Sequence, residues 1–175
     1  MQGLIIENKA NLYKIKLGDI NYIATARGKF KNDSFTPVVG DIAEFSIVDE
    51  NKKTAVIESV KERVSYIKRP KLANINQIVF VVSSKHPKPD LLLLDKQLAF
   101  AEFLHIKPVI VLNKIDLDDK HEFLNIQKIY EEIGYKVIQT DAKNGIGVEE
   151  ILLELKNNIS AFAGNSGVGK STLIN

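Results

Sequence analysis

The sequence predicts a small β-barrel followed by a doubly wound α/β domain. Three observations carry that prediction. Up to residue 60, apolar and polar residues alternate at the two-residue period of strands. After residue 76, near-continuous apolar runs alternate with helical stripes. Finally, a glycine-rich G-x-x-x-x-G-K-S stretch, Gly164 through Ser171, follows the last apolar run.

The front part reads as five short strands: LIIE (4–7), LYKIKL (12–17), INYIATA (20–26), IAEFSIV (42–48) and TAVIESV (54–60). Between them stand Gly18-Asp19, Gly28-Lys29, the polar loop KNDSFTP (31–37), Gly40-Asp41 and Asp49-Glu50-Asn51-Lys52. Short strands at this spacing, punctuated by turn residues, indicate a small barrel. The charged segment KERVSYIKRPKLANIN (61–76) contains Pro70 and reads as the junction. The expected division is a barrel over 1–68, a linker over 69–76 and a second domain over 77–175.

The second part begins with QIVFVVS (77–83), apolar enough for a strand buried on both faces of a parallel sheet. Asp90 is placed to cap the helix DLLLLDKQLAFAEFLH (90–105). PVIVLN (108–113) is a second buried strand, and HEFLNIQKIYEEIG (121–134) a helix closed by glycine. KVIQT (136–140), VEEILLELKN (148–157) and ISAFAG (159–164) continue the alternation, which is that of a doubly wound sheet. A final helix starts at Gly169.

Composition narrows the function classes. With 45% hydrophobic residues the chain can fill real cores, and with no cysteine it can build neither a disulfide nor a thiolate metal site. The start, MQGLIIENKANLYKIK, is not a signal peptide, and no apolar run approaches a membrane span. The expectation is a soluble, cytoplasmic monomer with no membrane partner. Residues 1–72 hold 13 Lys and Arg against 9 Asp and Glu, and residues 73–175 hold 11 against 13. A basic front and a near-neutral back point to units with different partners. His86, His105 and His121 lack metal-ligand spacing.

The glycine-rich stretch has the chemistry of a phosphate cradle. Glycines let the chain curl so that successive backbone N–H groups point at phosphate oxygens, and the following helix adds its positive end. The phosphate-binding residues are Gly164, Asn165, Ser166, Gly167, Val168, Gly169, Lys170, Ser171 and Thr172. Lys170 would reach the β- and γ-phosphates, and Ser171 would ligate Mg²⁺, which makes these two the candidate catalytic residues. The base is read upstream, where Asn113-Lys114-Ile115-Asp116 ends a buried strand. A carboxylate at Asp116 can accept from guanine N1–H and its 2-amino group, neither of which adenine offers. Lys114 can cover the base, and Asn113 can tie this loop to the phosphate loop. Asp141-Ala142-Lys143, after Thr140, matches the T-S-A-K motif of small GTPases with aspartate for serine. The Ala142 N–H would meet guanine O6 and Lys143 would flank the base. The same glycine-rich turn also serves to start the helix 148–157, and the two roles are compatible.

The order of these motifs is unusual. N-K-x-D and D-A-K precede the phosphate loop instead of following it, as in a chain circularly permuted within an unchanged fold. Together with ATARGKFK (24–31), TPVVGD (36–41), ERVSYIKRP (62–70), ANINQIVFVVS (73–83) and FAGNSGVGKSTLIN (162–175), the chain resembles the RsgA/YjeQ/YloQ family over its whole length. These are bacterial GTPases of small-ribosomal-subunit biogenesis.

The resemblance implies an OB-fold barrel that contacts ribosomal RNA, ahead of a circularly permuted P-loop GTPase domain that binds GTP and GDP. It implies a GTPase stimulated by the small subunit and acting late in its maturation. On the barrel, Lys14, Lys16, Arg27, Lys29 and Lys31 are the RNA-binding candidates, with Tyr22 and Phe30 either stacking partners for bases or aromatics of the barrel core. Family members continue into switch regions, a D-x-x-G motif and a Cys/His zinc domain, none of which this sequence holds. It therefore reads as an N-terminal portion that binds guanine nucleotide weakly and turns over little, with Zn²⁺ belonging to the part not present. The competing reading is an RNA-binding module whose site senses guanine nucleotide without hydrolysing it.

Overall fold

The computed structural model describes residues 1–27, 36–119 and 121–174. The chain divides into two compact units, Met1–Ile75 and Asn76–Asn175.

In the first unit, β1 (Gln2–Lys9), β2 (Leu12–Leu17), β3 (Ile20–Ala26), β4 (Ile42–Asp49) and β5 (Thr54–Val60) form a closed barrel in the order β1-β2-β3-β5-β4. β3 and β5 run parallel, and β1 closes onto β4 through Gln2↔Glu44 and Leu4↔Ile42. This is a Greek-key barrel of OB type. Strand alternation sends Ile5, Tyr13, Ile15, Tyr22, Ala24, Ala43, Phe45, Ala55 and Ile57 into one core.

Tyr22 takes the core place, not the stacking one. Its ring is buried 5.5 Å from that of Phe45, and its hydroxyl donates to Glu50 Oε1 at 3.0 Å. Burial first, then the Glu50 bond, pushes its phenol above the usual range. It fills the core because strand register points it inward, so it offers no face to a nucleic-acid base. Phe30 lies outside the described residues.

Asp41, fully buried, organises the segment ahead of β4. Its Oδ2 accepts from Val38 N at 2.7 Å, and Arg63 clamps both oxygens through Nε and Nη2, each at 2.8 Å. Arg63 Nη2 also reaches Thr36 O at 2.9 Å, and its guanidinium lies 4.6 Å from the Tyr66 ring centre. A bidentate pair satisfies both lone-pair sets at once, which is what makes a buried carboxylate tolerable here.

The segment expected to be a linker has structure of its own. β6 (Tyr66–Lys68) and β7 (Lys71–Ala73) pair as an antiparallel hairpin, and Leu72 bridges to Val39. Ile67 and Ala73 are buried, so these residues belong to the first unit, whose limit falls at Ile75.

The second unit is a parallel sheet in the order β10-β9-β8-β11, made of β8 (Gln77–Ser83), β9 (Lys107–Asn113), β10 (Lys136–Thr140) and β11 (Ser160–Ala163). Its helices are α1 (Leu91–Phe103), α2 (Glu122–Ile133), α3 (Val148–Leu155) and α4 (Lys170–Ile174). β8 and β9 are buried along nearly their whole length, which is why their sequences lack alternation. Asp90 accepts from Leu93 N at 2.9 Å at the start of α1, and Gly134 closes α2 in the left-handed region. Asp118 accepts from the first two N–H groups of α2, a cap hidden by the adjacent His121. β11 comes last in the chain yet pairs with β8. All four strands are parallel, so Ser83, Asn113, Thr140 and Ala163 end at one edge.

Replacing Asp41 with Asn leaves the Arg63 guanidinium without its counter-charge in a protected site. We expect D41N to lower stability by about 3 kcal/mol, read as a shifted urea midpoint by far-ultraviolet circular dichroism.

Candidate nucleotide-binding site

The glycine-rich stretch leaves β11 at the sheet's carboxyl edge, where open α/β sheets place ligands. Two of its glycines are dictated by close approach. Gly164 has φ +138°, and a Cβ there would lie 2.3 Å from Val81 O. Gly169 has φ +101°, and a Cβ there would lie 2.3 Å from Asn113 Nδ2. Both conditions exclude an ordinary side chain. Between them Val168 plugs into the sheet core with Val79, Val81, Val109 and Val111. Asn165, Ser166 and Gly167 stay exposed.

Lys170 opens α4 and folds back over the loop, donating to Gly164 O and Asn165 O at 2.8 Å each. Ser171 and Thr172 are exposed on the first turn of α4. The Ser171 hydroxyl is a hard oxygen donor of the kind Mg²⁺ takes.

Asn113, at the end of β9 and 2% exposed, joins three segments. Its Nδ2 donates to Val168 O at 2.8 Å. Its Oδ1 accepts from Thr140 Oγ1 at 2.9 Å and from Ala142 N at 3.1 Å. The expected tie to the phosphate loop is therefore made. The Ala142 N–H, expected to meet a base, is directed at Asn113 in this structure.

Lys114 takes a left-handed backbone, φ +65°. Its Nζ donates to His86 O and Gly167 O at 2.7 Å each, clamping the β8–α1 loop against the phosphate loop. Ile115 begins a short 3-10 helix, Ile115–Leu117, that carries Asp116. The Asp116 carboxylate is exposed and makes no hydrogen bond or ion pair among the described residues. Asp141 is buried and accepts from Lys143 N at 3.1 Å, Asn144 N at 3.2 Å and Asn144 Nδ2 at 2.5 Å. Aspartate thus does the turn-closing work open to serine at that place, with two oxygens instead of one. Lys143 is exposed.

Sequence reasoning missed two serines at the end of β8. Ser84 Oγ donates to Lys114 O at 2.6 Å and Ser84 N to Asn113 O at 3.2 Å; Ser83 Oγ turns to Lys85 O. Their only signal was a polar pair directly after an apolar run. The barrel candidates lie in the other unit. Lys14 is half-buried and stands opposite Glu7 across β1–β2, Lys16 is exposed, and Arg27 pairs with Glu58 at 2.8 Å. Lys29 and Lys31 lie outside the described residues.

Comparison with known proteins agrees with this arrangement. A profile described as RsgA GTPase matches residues 60–175, and one described as RsgA N-terminal domain matches residues 2–57. A relative from Caldanaerobacter subterraneus, named small ribosomal subunit biogenesis GTPase RsgA, is 41% identical over all of this chain and 59% of its own length. A relative of the same name from Ruminiclostridium cellulolyticum is 41% identical over 99% of this chain and 57% of its own. The chain thus spans somewhat under 60% of the length of these two curated relatives. Among solved structures, YjeQ from Thermotoga maritima superposes with a TM-score of 0.86 at 34% identity, over 99% of this chain and 63% of that one. YloQ, described as a circularly permuted GTPase, gives 0.82 at 31% identity, over 99% and 62%.

A methyl group at Gly169 would have to displace the Asn113 amide and strain a positive-φ backbone. G169A is expected to cost about 2 kcal/mol and to shift the Asn113 side-chain amide resonance. Thermal unfolding and a nitrogen–proton correlation spectrum check both.

Proposed function

The chain belongs to the RsgA family of GTPases, and from that premise we propose that it is the nucleotide-binding and RNA-docking part of a GTP-hydrolysing factor for late maturation of the small ribosomal subunit. The observation that carries the reading is Asn113, whose one side chain binds the phosphate loop and the Asp141 loop together beneath Asp116.

On this reading Asp116 accepts from guanine N1–H and the 2-amino group. A site built to be satisfied by two donors rejects adenine because the carboxylate, covered by the bound base, would be left unpaired. Lys114 keeps the loops together, and its stem and Lys143 flank the base. Backbone groups of residues 164–169 receive the phosphates. Lys170 exchanges the carbonyls of Gly164 and Asn165 for β- and γ-phosphate oxygens, and Ser171 contributes its hydroxyl to Mg²⁺. Mg²⁺ held through Ser171 would supply positive charge against the phosphate oxygens. The sequence holds no D-x-x-G segment, so this stretch alone binds guanine nucleotide weakly and turns over little. The barrel docks on ribosomal RNA. The whole protein works in the cytoplasm as a monomer, and Zn²⁺ belongs to a Cys/His domain beyond these residues.

The test is GTP turnover by the full-length protein alone, with purified small subunits and with large ones. Stimulation by small subunits only is expected. A flat rate with both would favour an RNA-binding module that senses guanine nucleotide without partner-driven hydrolysis.

Base reading has its own check. Asn at position 116 turns one acceptor into a donor, so D116N should weaken GDP binding roughly 100-fold, from two lost charge-assisted bonds. Xanthosine diphosphate, with an acceptor at the 2-position, should gain in its place. Displacement of labelled GDP reads both.

A further inference from the structure

The β6–β7 hairpin carries a charge arrangement that folding alone does not favour. Its strands are joined by Arg69 and Pro70, and Lys68 stands directly across from Lys71 in the ladder. Like charges opposite one another in an antiparallel pair oppose pairing. Arg69 adds a third cation in the turn between them. All three side chains are exposed, and none pairs with a carboxylate among the described residues. Most other cations of the barrel unit differ in this respect among the described residues. Lys9, Arg27, Lys52, Lys53 and Arg63 each hold an acidic partner, and Lys14 faces Glu7 across the ladder.

The hairpin is nevertheless held firmly at its base. Ile67 and Ala73 are buried, Leu72 bridges to Val39, and the Arg63–Asp41 clamp sits beside Tyr66. Tyr66, in the same ladder two residues from Lys68, lies on the same face as the Lys68–Lys71 pair. A rigid base therefore presents three concentrated, uncompensated positive charges beside a half-exposed aromatic ring. The patch is narrow, and its tip has no apolar side chain other than Pro70 to enter a lipid interface.

We propose that the tip of this hairpin, Lys68, Arg69 and Lys71, is a docking element for an RNA phosphate backbone, separate from the strand positions Lys14, Lys16 and Arg27. Phosphates relieve the cross-strand repulsion that the free protein carries, and release of their counterions drives the association. The inference rests on the RNA-docking part of the proposed function and assigns that docking to a particular element.

The experiment compares three proteins: the chain itself, the triple variant K68Q/R69Q/K71Q, and the strand variant K14Q/K16Q. Each is titrated with a short fluorescent RNA stem-loop by anisotropy at several salt concentrations. Each is also mixed with vesicles of phosphatidylcholine and phosphatidylserine, and titrated with labelled GDP. The triple variant should bind the stem-loop about tenfold or more weakly, with a salt slope flattened by about two units. Its GDP binding should be unchanged, and its unfolding temperature equal or higher, because the repulsion is gone.

Affinity and slope equal to those of the unchanged chain would overturn the proposal. Loss confined to the strand variant would overturn it too, while leaving the proposed function standing. Loss of vesicle binding with RNA binding intact would reassign the tip to an anionic lipid surface. Absence of RNA binding by the unchanged chain would bring down the RNA-docking reading and this inference together.

Discussion

A primary amide offers two N–H donors and one carbonyl oxygen, and at Asn113 nearly all of that capacity is directed inward. One donor holds Val168 O, while the oxygen takes both Thr140 Oγ1 and Ala142 N. The amide is buried, so each bond is made in a medium where a lost partner is costly. The phosphate loop, the strand that leads to Asp116 and the turn at Asp141 therefore hold one geometry or none. Leucine would leave all three partners unsatisfied, and aspartate would set a carboxylate against a carbonyl.

The neighbouring choices follow from that constraint. Gly169 must lack a Cβ because the Asn113 amide fills that space. Lys114 adopts a left-handed backbone, and its ammonium bridges the phosphate loop to the segment after β8. Ser84 then fixes the Lys114 carbonyl. Asp141 closes its own turn and leaves Ala142 N turned toward Asn113. The first unit uses the same device with charge, since Asp41 and Arg63 tie the strand-to-strand crossing to the segment that leads into β6.

The strands and helices were legible because their periods are strong: alternation in β1 to β5, continuous apolar runs in β8 and β9. The motif residues were legible for a different reason. Glycines at strained or crowded positions and an asparagine at a strand end leave a sequence trace even without coordinates. What stayed hidden was direction. Nothing in INYIATA says that Tyr22 faces the core, because aromatic residues suit either face of a half-buried strand. The β6–β7 hairpin was hidden by its shortness, as three-residue strands rich in lysine show no period and Pro70 reads as a break. The role of Ser84 depends on a partner set by tertiary approach, 30 residues away in the chain.

The network around Asn113 also explains why chain order can change without changing the site. Its members are contributed by the ends of β9, β10 and β11, and each is reached by a side-chain or backbone bond rather than through the connecting chain. β11 enters the sheet beside β8 by parallel pairing over four residues, which requires only that its carboxyl end point the same way as the others. Parallel pairing is indifferent to which strand was made first. The geometry of the site is therefore a property of the sheet edge, and the covalent order decides only where the chain has its ends. What permutation cannot alter is the requirement for glycine where Asn113 approaches, and at that place the sequence has glycine.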